Sequence, residues 1–468
     1  MDFFNKKYLP FSTLFFIVFI SRIPFVSAGY GIEEDSWGIA LAAFHTKMSG
    51  VYEPSRFPGH PVQELVYSAL WGFGPIVFNA LSAFFSSVAT VFFALILKEL
   101  NFRHFFLAAI SFAFIPVYYI SSTYTIDFVW TSTFILISFY FLLKNNVLLV
   151  GLFLGLAIGC RITSGAMILP FMIIIWQRGN FKKNAFSFLK MFAASMLVVF
   201  LVFLPLMIQF GTSFFMYYDQ FPYPPLAKVG YKMSIGVFGL IGLLAIVTCT
   251  LWIIFVKKKE TYGALFNSNI NKKIIVACYM VVLLFLISYF RLPQKSGYMI
   301  SVLPFVIIIF GYYLNSKLFQ FLSFAFIVSS FVCSINLTDK LRGASYSRYA
   351  ITFKVSGQEL FFDPVSGPIF SDVSKRKQKA KYTGEVIQKM DSISFKTVVI
   401  AGWWYNELMV TMIPLKKNEH VILEPYINAE KIKKYSSQGY SIKYLPEQNT
   451  YNDEMFKMDI TNSYSTKF

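Results

Sequence analysis

The stretch YLPFSTLFFIVFISRIPFVSA at 8–28 is followed almost at once by GIEEDSW at 31–37. The first stretch is apolar over about the 20 residues that a helix needs to cross a bilayer. The second places three carboxylates beside it, where charge is costly and is usually retained for a function. We predict an uncleaved first membrane helix followed by a functional acidic loop. Two alternatives are a cleaved signal peptide, because Val26-Ser27-Ala28 resembles a cleavage site, and a solvated acidic loop.

The composition extends this apolar character to the whole chain. Of 468 residues, 56% are hydrophobic, 19% aromatic and 14% charged, which is too apolar for a soluble domain of this size. The net charge is +18, but Lys and Arg lie between apolar runs and near the C-terminus. No nucleic-acid partner is therefore predicted. The cysteines lie in apolar runs and the histidines are scattered, which predicts neither a disulfide framework nor a structural zinc site.

Apolar runs of membrane-spanning length predict about eleven transmembrane helices. Loops rich in Lys and Arg alternate with loops that contain few, which places the N-terminus in the cytoplasm and the long loop 29–74 outside. An odd number of spans places the C-terminal part outside as well. We predict a multi-pass protein of the cell (inner or plasma) membrane. Its spans lie at roughly 8–28, 75–97, 105–122, 125–143, 147–160, 163–176, 191–210, 233–256, 274–290, 299–314 and 318–335.

The composition becomes polar near residue 336. This change predicts two domains, a transmembrane catalytic domain at 1–335 and a small extracytoplasmic α/β domain at 336–468. The segment GWWYN at 402–406 is either a sugar-recognition loop or a packing edge against the membrane helices. In the second domain we predict helices at 376–391 and 428–438 and strands at 397–402 and 440–445.

The outer loop 29–74 is too long to be only a connector. Residues 36–48 are predicted to form a short amphipathic helix on the membrane surface. Its apolar face would consist of Trp37, Ala40, Leu41 and Phe44.

Ionisable residues of both signs are predicted to meet at the outer interface. Opposite charges at this depth suit a lipid-linked phosphate, because Arg and Lys bind phosphate through charge-assisted hydrogen bonds. A nearby carboxylate can then take a proton from an attacking acceptor group. The histidine of this set lies in SRFPGHP at 55–61, a turn that proline makes rigid. The set comprises Glu34, Asp35, Arg56, His60, Asp127, Arg161 and Lys295.

Each member of this set also has a simpler interpretation. For Arg161 the alternative is a side chain that only extends to the interface, and for Lys295 with Arg291 it is a loop anchor. For Asp127 it is a first-turn residue that interacts with a helix dipole, and for His60 it is a structural residue or a simple hydrogen-bond donor. The combination of charges at one interface is a stronger signal than any single residue.

Four segments together resemble the glycosyltransferase class C (GT-C) superfamily, whose members are polytopic enzymes that use polyprenyl-phosphate sugars. Protein O-mannosyltransferases and lipid A aminoarabinose transferases are similar proteins. The resemblance covers roughly 5–335. It is carried by Glu34-Asp35, RFPGHP at 56–61, GLAIGCRITSG at 155–165 and RLPQKSGY at 291–298, which leads into Pro304.

The resemblance implies roles for individual residues. It implies that Asp35 is the catalytic base, with Glu34 as the neighbour that can replace it, and that Arg161 contacts the donor phosphate. It also implies that the late outer loop contributes Lys295 and Tyr298 to substrate binding. The chain reads Glu-Glu-Asp-Ser where the family usually has an Asp-Glu pair, so the catalytic position is ambiguous by one residue.

The remaining substrate-binding candidates come from the residue pattern, namely Arg56, His60 and Asp127. Some members of the superfamily use a divalent metal ion. Nothing in this sequence demands one, and Asp35 with Asp127 is the pair that could hold it.

The sequence thus predicts an inverting glycosyltransferase of cell-envelope polysaccharide biosynthesis. Its donor would be a polyprenyl-phosphate sugar, its acceptor a glycan, lipid or protein outside the cytoplasm, and its surroundings membrane lipids. The alternatives are a flippase or transporter of a lipid-linked glycan and a polymerase or ligase of surface polysaccharide. Clustering of the charges at one interface favours the enzyme over a transporter, and short late outer loops disfavour the polymerase.

Overall fold

The computed structural model describes residues 9–176, 180–215, 223–256, 262–266, 272–337, 348–355, 358–415, 418–445 and 466–467. Tyr8 of the first predicted span lies outside the described residues. Beyond residue 445, the predicted second domain is described only at 466–467. Up to Ser329 the described chain is helical. Its helices are α1 (Leu9–Arg22), α2 (Glu34–Ser49), α3 (Pro61–Ala69), α4 (Gly74–Glu99), α5 (Phe105–Ala113), α6 (Pro116–Ser121), α7 (Asp127–Leu143), α8 (Val147–Cys160), α9 (Ile168–Ile175), α10 (Phe181–Phe210), α11 (Leu226–Met233), α12 (Ile235–Phe255), α13 (Lys272–Arg291), α14 (Leu303–Tyr313) and α15 (Ser316–Ser329).

Ten apolar helical segments of the described chain overlap ten of the predicted spans. Five are long and apolar enough to cross a membrane, namely Trp71–Glu99, Phe181–Phe210, Ile235–Phe255, Lys272–Arg291 and Ser296–Tyr313. Five are shorter, namely Leu9–Phe25, Asp127–Leu143, Val147–Cys160, Ile162–Ile175 and Ser316–Ser329. This is the helix content of a polytopic membrane protein. The last segment ends before its predicted boundary, because the strand β1 (Ser334–Leu337) begins there.

The third predicted span is not one continuous helix, and that prediction is wrong. It is divided into α5 and α6 at Pro116, which has no N–H group and whose ring blocks the preceding turn. The break leaves carbonyl groups without helical partners. The buried guanidinium of Arg22 donates to the carbonyl oxygen of Ala113. The hydroxyl of Ser330 donates to the carbonyl oxygen of Phe114 at 2.6 Å. Satisfying these acceptors inside the protein makes a broken helix tolerable at membrane depth.

Helices α8 and α10 pack closely because α8 presents Gly151, Gly155 and Gly159 to its neighbour. A Cβ atom on Gly155 would lie 2.6 Å from Cβ of Val198, and one on Gly151 would lie 2.3 Å from a backbone oxygen of α10. Small residues at this spacing allow helix backbones to approach each other in a membrane. The packing fixes the end of α8 and therefore the place where Arg161 leaves the helix.

We expect Gly155→Ala to destabilise this helix pair. The new methyl group would overlap the side chain of Val198, and overpacking of this kind costs about 1–3 kcal/mol. Thermal unfolding in detergent measures the effect. Gly165→Ala is the matched control, because the nearest atom to its new Cβ lies 3.9 Å away. Equal melting temperatures for the two variants would contradict the close packing described above.

The helix predicted at 36–48 is present as α2, but both of its faces are buried. Its predicted apolar face is buried except for Phe44, and the opposite face, which includes Ser36 and Ile39, is buried as well. Helix α3 packs on one side of it, and α17 (Tyr405–Met412) packs on another. The prediction of an amphipathic helix with a single apolar face is therefore wrong, because a segment more than 350 residues later in the chain covers it.

Beyond α15 the chain forms two sheets. The first is antiparallel with order β1-β3-β2, and the second is parallel with order β5-β4-β6-β7. The strand predicted from residue 397 ends at Ile400, and the helix predicted from residue 376 begins earlier, at Pro368. The elements are β1 (Ser334–Leu337), β2 (Ile351–Val355), β3 (Gln358–Asp363), α16 (Pro368–Asp391), β4 (Thr397–Ile400), α17, β5 (Val421–Glu424), α18 (Ala429–Ser437), β6 (Ser441–Tyr444) and β7 (Thr466–Lys467).

The segment GWWYN follows β4 and contributes to packing. Trp404 is buried in an apolar cluster with Val399 and Leu408. Tyr405 contacts both this cluster and the core of the helical part. Of the two alternatives for this segment, the structure favours a packing edge against the membrane helices.

Candidate functional site

All eight predicted site residues lie at the same ends of the helices. Lys98, Lys144 and Lys317 lie at the other ends, where Lys144 pairs with Glu99 and His104 contacts Ser316. The sequence places the eight residues at boundaries between regular elements. Glu34 and Asp35 begin α2, Arg56 and His60 lie between α2 and α3, Asp127 begins α7, Arg161 follows α8, and Lys295 and Tyr298 lie at the start of the 3-10 helix Ser296–Val302.

Asp35 is shared between two cations. It forms ion pairs with Arg56 and with Lys295, and Nζ of Lys295 also lies 2.6 Å from Oε2 of Glu33. Burial disfavours the charged carboxylate, but the charges of Arg56 and Lys295 outweigh that effect and lower the pKa of Asp35. Asp35 is therefore ionised throughout the neutral range.

Arg56 links this acidic segment to a second carboxylate. Its Nη2 lies 3.5 Å from Oδ1 of Asp127, and Oδ2 of Asp127 accepts a hydrogen bond of 2.8 Å from Nη1 of Arg161. The result is a continuous network of alternating charge. We call it the charge network, and it consists of Glu33, Asp35, Arg56, Asp127, Arg161 and Lys295.

His60 supports the buried part of the charge network. Its Nδ1–H donates to the carbonyl oxygen of Cys160 at 2.6 Å, and the same atom lies 4.0 Å from Asp127. Burial lowers the pKa of His60, so the ring is neutral at neutral pH. His60 thereby ties the loop before α3 to the end of α8, next to Arg161.

The guanidinium of Arg161 lies between aromatic rings. Its central carbon is 4.4 Å from the centroid of Tyr298 and 4.9 Å from that of Phe128, which favours a cation on the ring faces. Gly297 permits this arrangement, because a Cβ atom there would lie 2.2 Å from the ring of Phe128. The interpretation of Arg161 as a side chain that only extends to the membrane interface does not fit these contacts.

Exposure divides the predicted residues into two groups. One group is accessible to a ligand, and the other is enclosed beneath it. The exposed fractions are 21% for Asp35, 24% for Arg56, 19% for Arg161 and 19% for Lys295, against 0% for Asp127 and 7% for His60.

Glu34 differs from its neighbour Asp35. Burial and the adjacent charge of Asp35 raise the pKa of Glu34 to about 8. Its Oε1 lies 3.4 Å from Nδ2 of Asn406, which belongs to α17. Two adjacent carboxyl groups thus have pKa values pushed in opposite directions, a pattern typical of sites that perform acid–base chemistry.

Glu64 is a site component that the sequence pattern did not identify. Its buried carboxylate accepts hydrogen bonds from the hydroxyls of Tyr52 and Ser55 and from the backbone N–H of His60 at 3.1 Å. These bonds hold both sides of the turn that carries Arg56. The sequence signal that could have identified Glu64 was a carboxylate in the first turn of a helix, four residues after His60 of the rigid turn.

Asp35 and Asp127 do not form a shared metal site. The guanidinium of Arg56 lies between them, so each carboxylate already faces a cation. Within the described ranges, no group of three or more His, Cys, Asp or Glu side chains is arranged to hold a metal ion. The residues present do not fit a divalent ion at this position.

Comparisons with known proteins give a distant likeness to solved structures. No protein-family model matches the chain, and no curated protein matches it. A solved structure of the Archaeoglobus fulgidus oligosaccharyltransferase, tethered with an acceptor peptide containing the NVT sequon, is similar with 13% sequence identity and a TM-score of 0.40. The likeness covers 88% of this chain, and the chain spans 64% of the length of that one. At these values the likeness assigns neither a family nor an activity, and the function is argued from the site.

Proposed function

We propose that this protein is a membrane glycosyltransferase that moves a sugar, with inversion, from a polyprenyl-phosphate donor to a glycan, lipid or protein acceptor outside the cytoplasm. The charge network carries the proposal. It gathers carboxylates and cations, partly exposed, at one end of a set of apolar helices. Lysine-rich loops at the other end support an extracytoplasmic site, because such loops remain in the cytoplasm.

The cations of the network suit the donor headgroup. Arg56, Arg161 and Lys295 are each partly exposed, and a guanidinium binds phosphate oxygens through two parallel hydrogen bonds. The polyprenyl chain would remain among the apolar helices while its phosphate lies at their ends. Asp127 and His60 are enclosed, so in this proposal they act by holding the arginines in place.

The transfer step follows from these positions. A hydroxyl oxygen of the acceptor attacks the anomeric carbon, and the bond from that carbon to the phosphate oxygen breaks. The phosphate leaves with the bonding electron pair, and the three cations stabilise its charge. The proton of the attacking hydroxyl passes to the carboxylate of Asp35, with Glu34 as the second candidate base. General-base assistance contributes about 10²–10⁴-fold to the rate.

We expect Arg161→Ala to weaken donor binding. Loss of a charged hydrogen bond costs about 1.5–3 kcal/mol, which corresponds to an affinity loss of about ten- to 150-fold. Binding of a radiolabelled polyprenyl-phosphate sugar to the purified protein measures it. Arg348→Ala is the matched control, because Arg348 is exposed and stacks only on its neighbour Tyr349 among the contacts described. Unchanged donor affinity in Arg161→Ala would assign Arg161 to structure.

The proposal as a whole is tested by mass spectrometry of cell-envelope glycans and lipids with and without the protein. Loss of one sugar from one acceptor supports it and names both substrates. Donor lipid that crosses vesicle membranes with the protein, with no sugar transferred, would favour the flippase alternative.

A further inference from the structure

Helix α16 connects the C-terminal part of the chain to the first outer loop. The ammonium of Lys379 donates to the carbonyl oxygen of Ile32 at 3.2 Å and forms an ion pair of 2.8 Å with Glu407. One turn earlier, Arg376 donates to the carbonyl oxygen and hydroxyl of Thr123 at 3.2 and 3.0 Å. The side chains of Lys379 and Arg376 are almost completely buried. A buried ammonium that donates hydrogen bonds to fixed partners in this way restrains the backbone that it contacts.

Helix α17 makes a second connection to the same loop. Nδ2 of Asn406 donates to Oε1 of Glu34 at 3.4 Å. The approach depends on Gly38, because a Cβ atom there would lie 3.2 Å from Nδ2 of Asn406. Ile32 lies directly before Glu33, and Glu34 lies directly before Asp35, so the two connections hold the start and the middle of the acidic segment.

We propose that Lys379 and Asn406 are positioning residues that fix the acidic segment 33–35 for catalysis. The C-terminal part is then a working component of the catalytic unit rather than an appended module. This inference rests on the function proposed above.

The electrostatic part follows from the charges that face Glu34. Asp35 disfavours its ionisation, while Lys295, Lys379 and Arg56 favour it. Of these groups, Lys379 alone belongs to the C-terminal part described here. Removing its charge should therefore move the titration of Glu34 to higher pH.

The test uses the full-length protein in membranes and two measurements. The first is the kcat and donor KM of sugar transfer. The second is independent of activity: dicyclohexylcarbodiimide labels protonated carboxyl groups, and peptide mass spectrometry follows labelling of Glu34 against pH. For Lys379→Met we expect the labelling midpoint to rise by about one pH unit and kcat to fall by at least about tenfold, with donor KM unchanged.

Matched variants separate positioning from folding. Lys381→Met is the control, because Lys381 lies on the same helix with its side chain 80% exposed. Lys379→Arg should restore the midpoint, since it keeps the charge. Lys379→Met with Glu407→Gln leaves no unpaired buried charge, so a fall in kcat in this variant reports the lost contact with Ile32 rather than misfolding. Asn406→Ala should lower kcat through the loss of its hydrogen bond.

The outcomes distinguish the two proposals. An active wild-type protein in which Lys379→Met behaves like Lys381→Met in both measurements overturns the inference and leaves the proposed function standing. A wild-type protein that transfers no sugar overturns the proposed function and the catalytic role of Lys379 with it. A labelling shift in that inactive protein would support only the contact between Lys379 and the acidic segment.

Discussion

Asp35→Asn is expected to lower sugar transfer by about 10²–10⁴-fold, with the protein still present in membranes. Asparagine keeps the shape of the side chain and its hydrogen bonds with Arg56 and Lys295, but it cannot accept a proton from the acceptor. Transfer from a polyprenyl-phosphate sugar in isolated membranes measures the effect. Glu53→Gln is the control, because Glu53 lies in the same outer loop, is 57% exposed and pairs with His45.

The pH dependence of kcat/KM for the donor distinguishes the two candidate bases, because this quantity reports the pKa values of the enzyme before the donor binds. A general base must be unprotonated, so the rate rises as pH increases through its pKa. The pKa of Asp35 is lowered, so with Asp35 as base the rate is flat across the neutral range. The pKa of Glu34 is raised to about 8, so with Glu34 as base the rate rises around that pH. Full activity in both Asp35→Asn and Glu34→Gln would remove carboxylate catalysis from the proposal.

Asp127→Ala is expected to have the largest effect on stability. The carboxylate is fully buried and faces Arg161 at 2.8 Å and Arg56 at 3.5 Å. Removing one member of a buried ion pair costs about 3–5 kcal/mol, and we expect the lower end of this range because the arginines that remain are partly exposed. Thermal unfolding in detergent, together with the amount of protein in membranes, measures the loss.

An exposed ion pair provides the comparison for Asp127→Ala. Glu99 and Lys144 lie 2.5 Å apart with 37% and 42% of their side chains exposed, and such pairs contribute about 0–1 kcal/mol. Glu99→Ala should therefore change the melting temperature little. A second variant, Asp127→Ala with Arg161→Met, should recover part of the stability because it removes one uncompensated charge. Equal stability of Asp127→Ala and Glu99→Ala would contradict the importance of the buried pair.

The sequence was informative about which residues meet, because helix direction alternates along the chain. Once the apolar runs are located, each loop is assigned to one end, and Glu34, Asp127, Arg161 and Lys295 are all assigned to the same one. That reasoning predicts that these residues lie near one another, but it does not predict which of them form ion pairs. The position of Arg56 between Asp35 and Asp127 depends on side-chain geometry, and the contrast between Glu34 and Asp35 depends on burial.

Other features depend on contacts that the sequence does not show. Pro116 was visible in the sequence and could have predicted the division of the third span. The contacts that make this break tolerable involve Arg22 and Ser330, which come from distant parts of the chain. The burial of α2 and the contact of Lys379 with Ile32 likewise join residues several hundred positions apart. Local periodicity carries no information about such contacts.

The double pairing of Asp35 has a consequence for the timing of proton abstraction. Its carboxylate pairs with Arg56 and Lys295, so it is a weak proton acceptor. Under the proposed mechanism a phosphate that arrives on these cations competes for them and leaves Asp35 more basic. Arrival of the lipid-linked donor would thus itself activate the base, which ties proton abstraction to the presence of the donor.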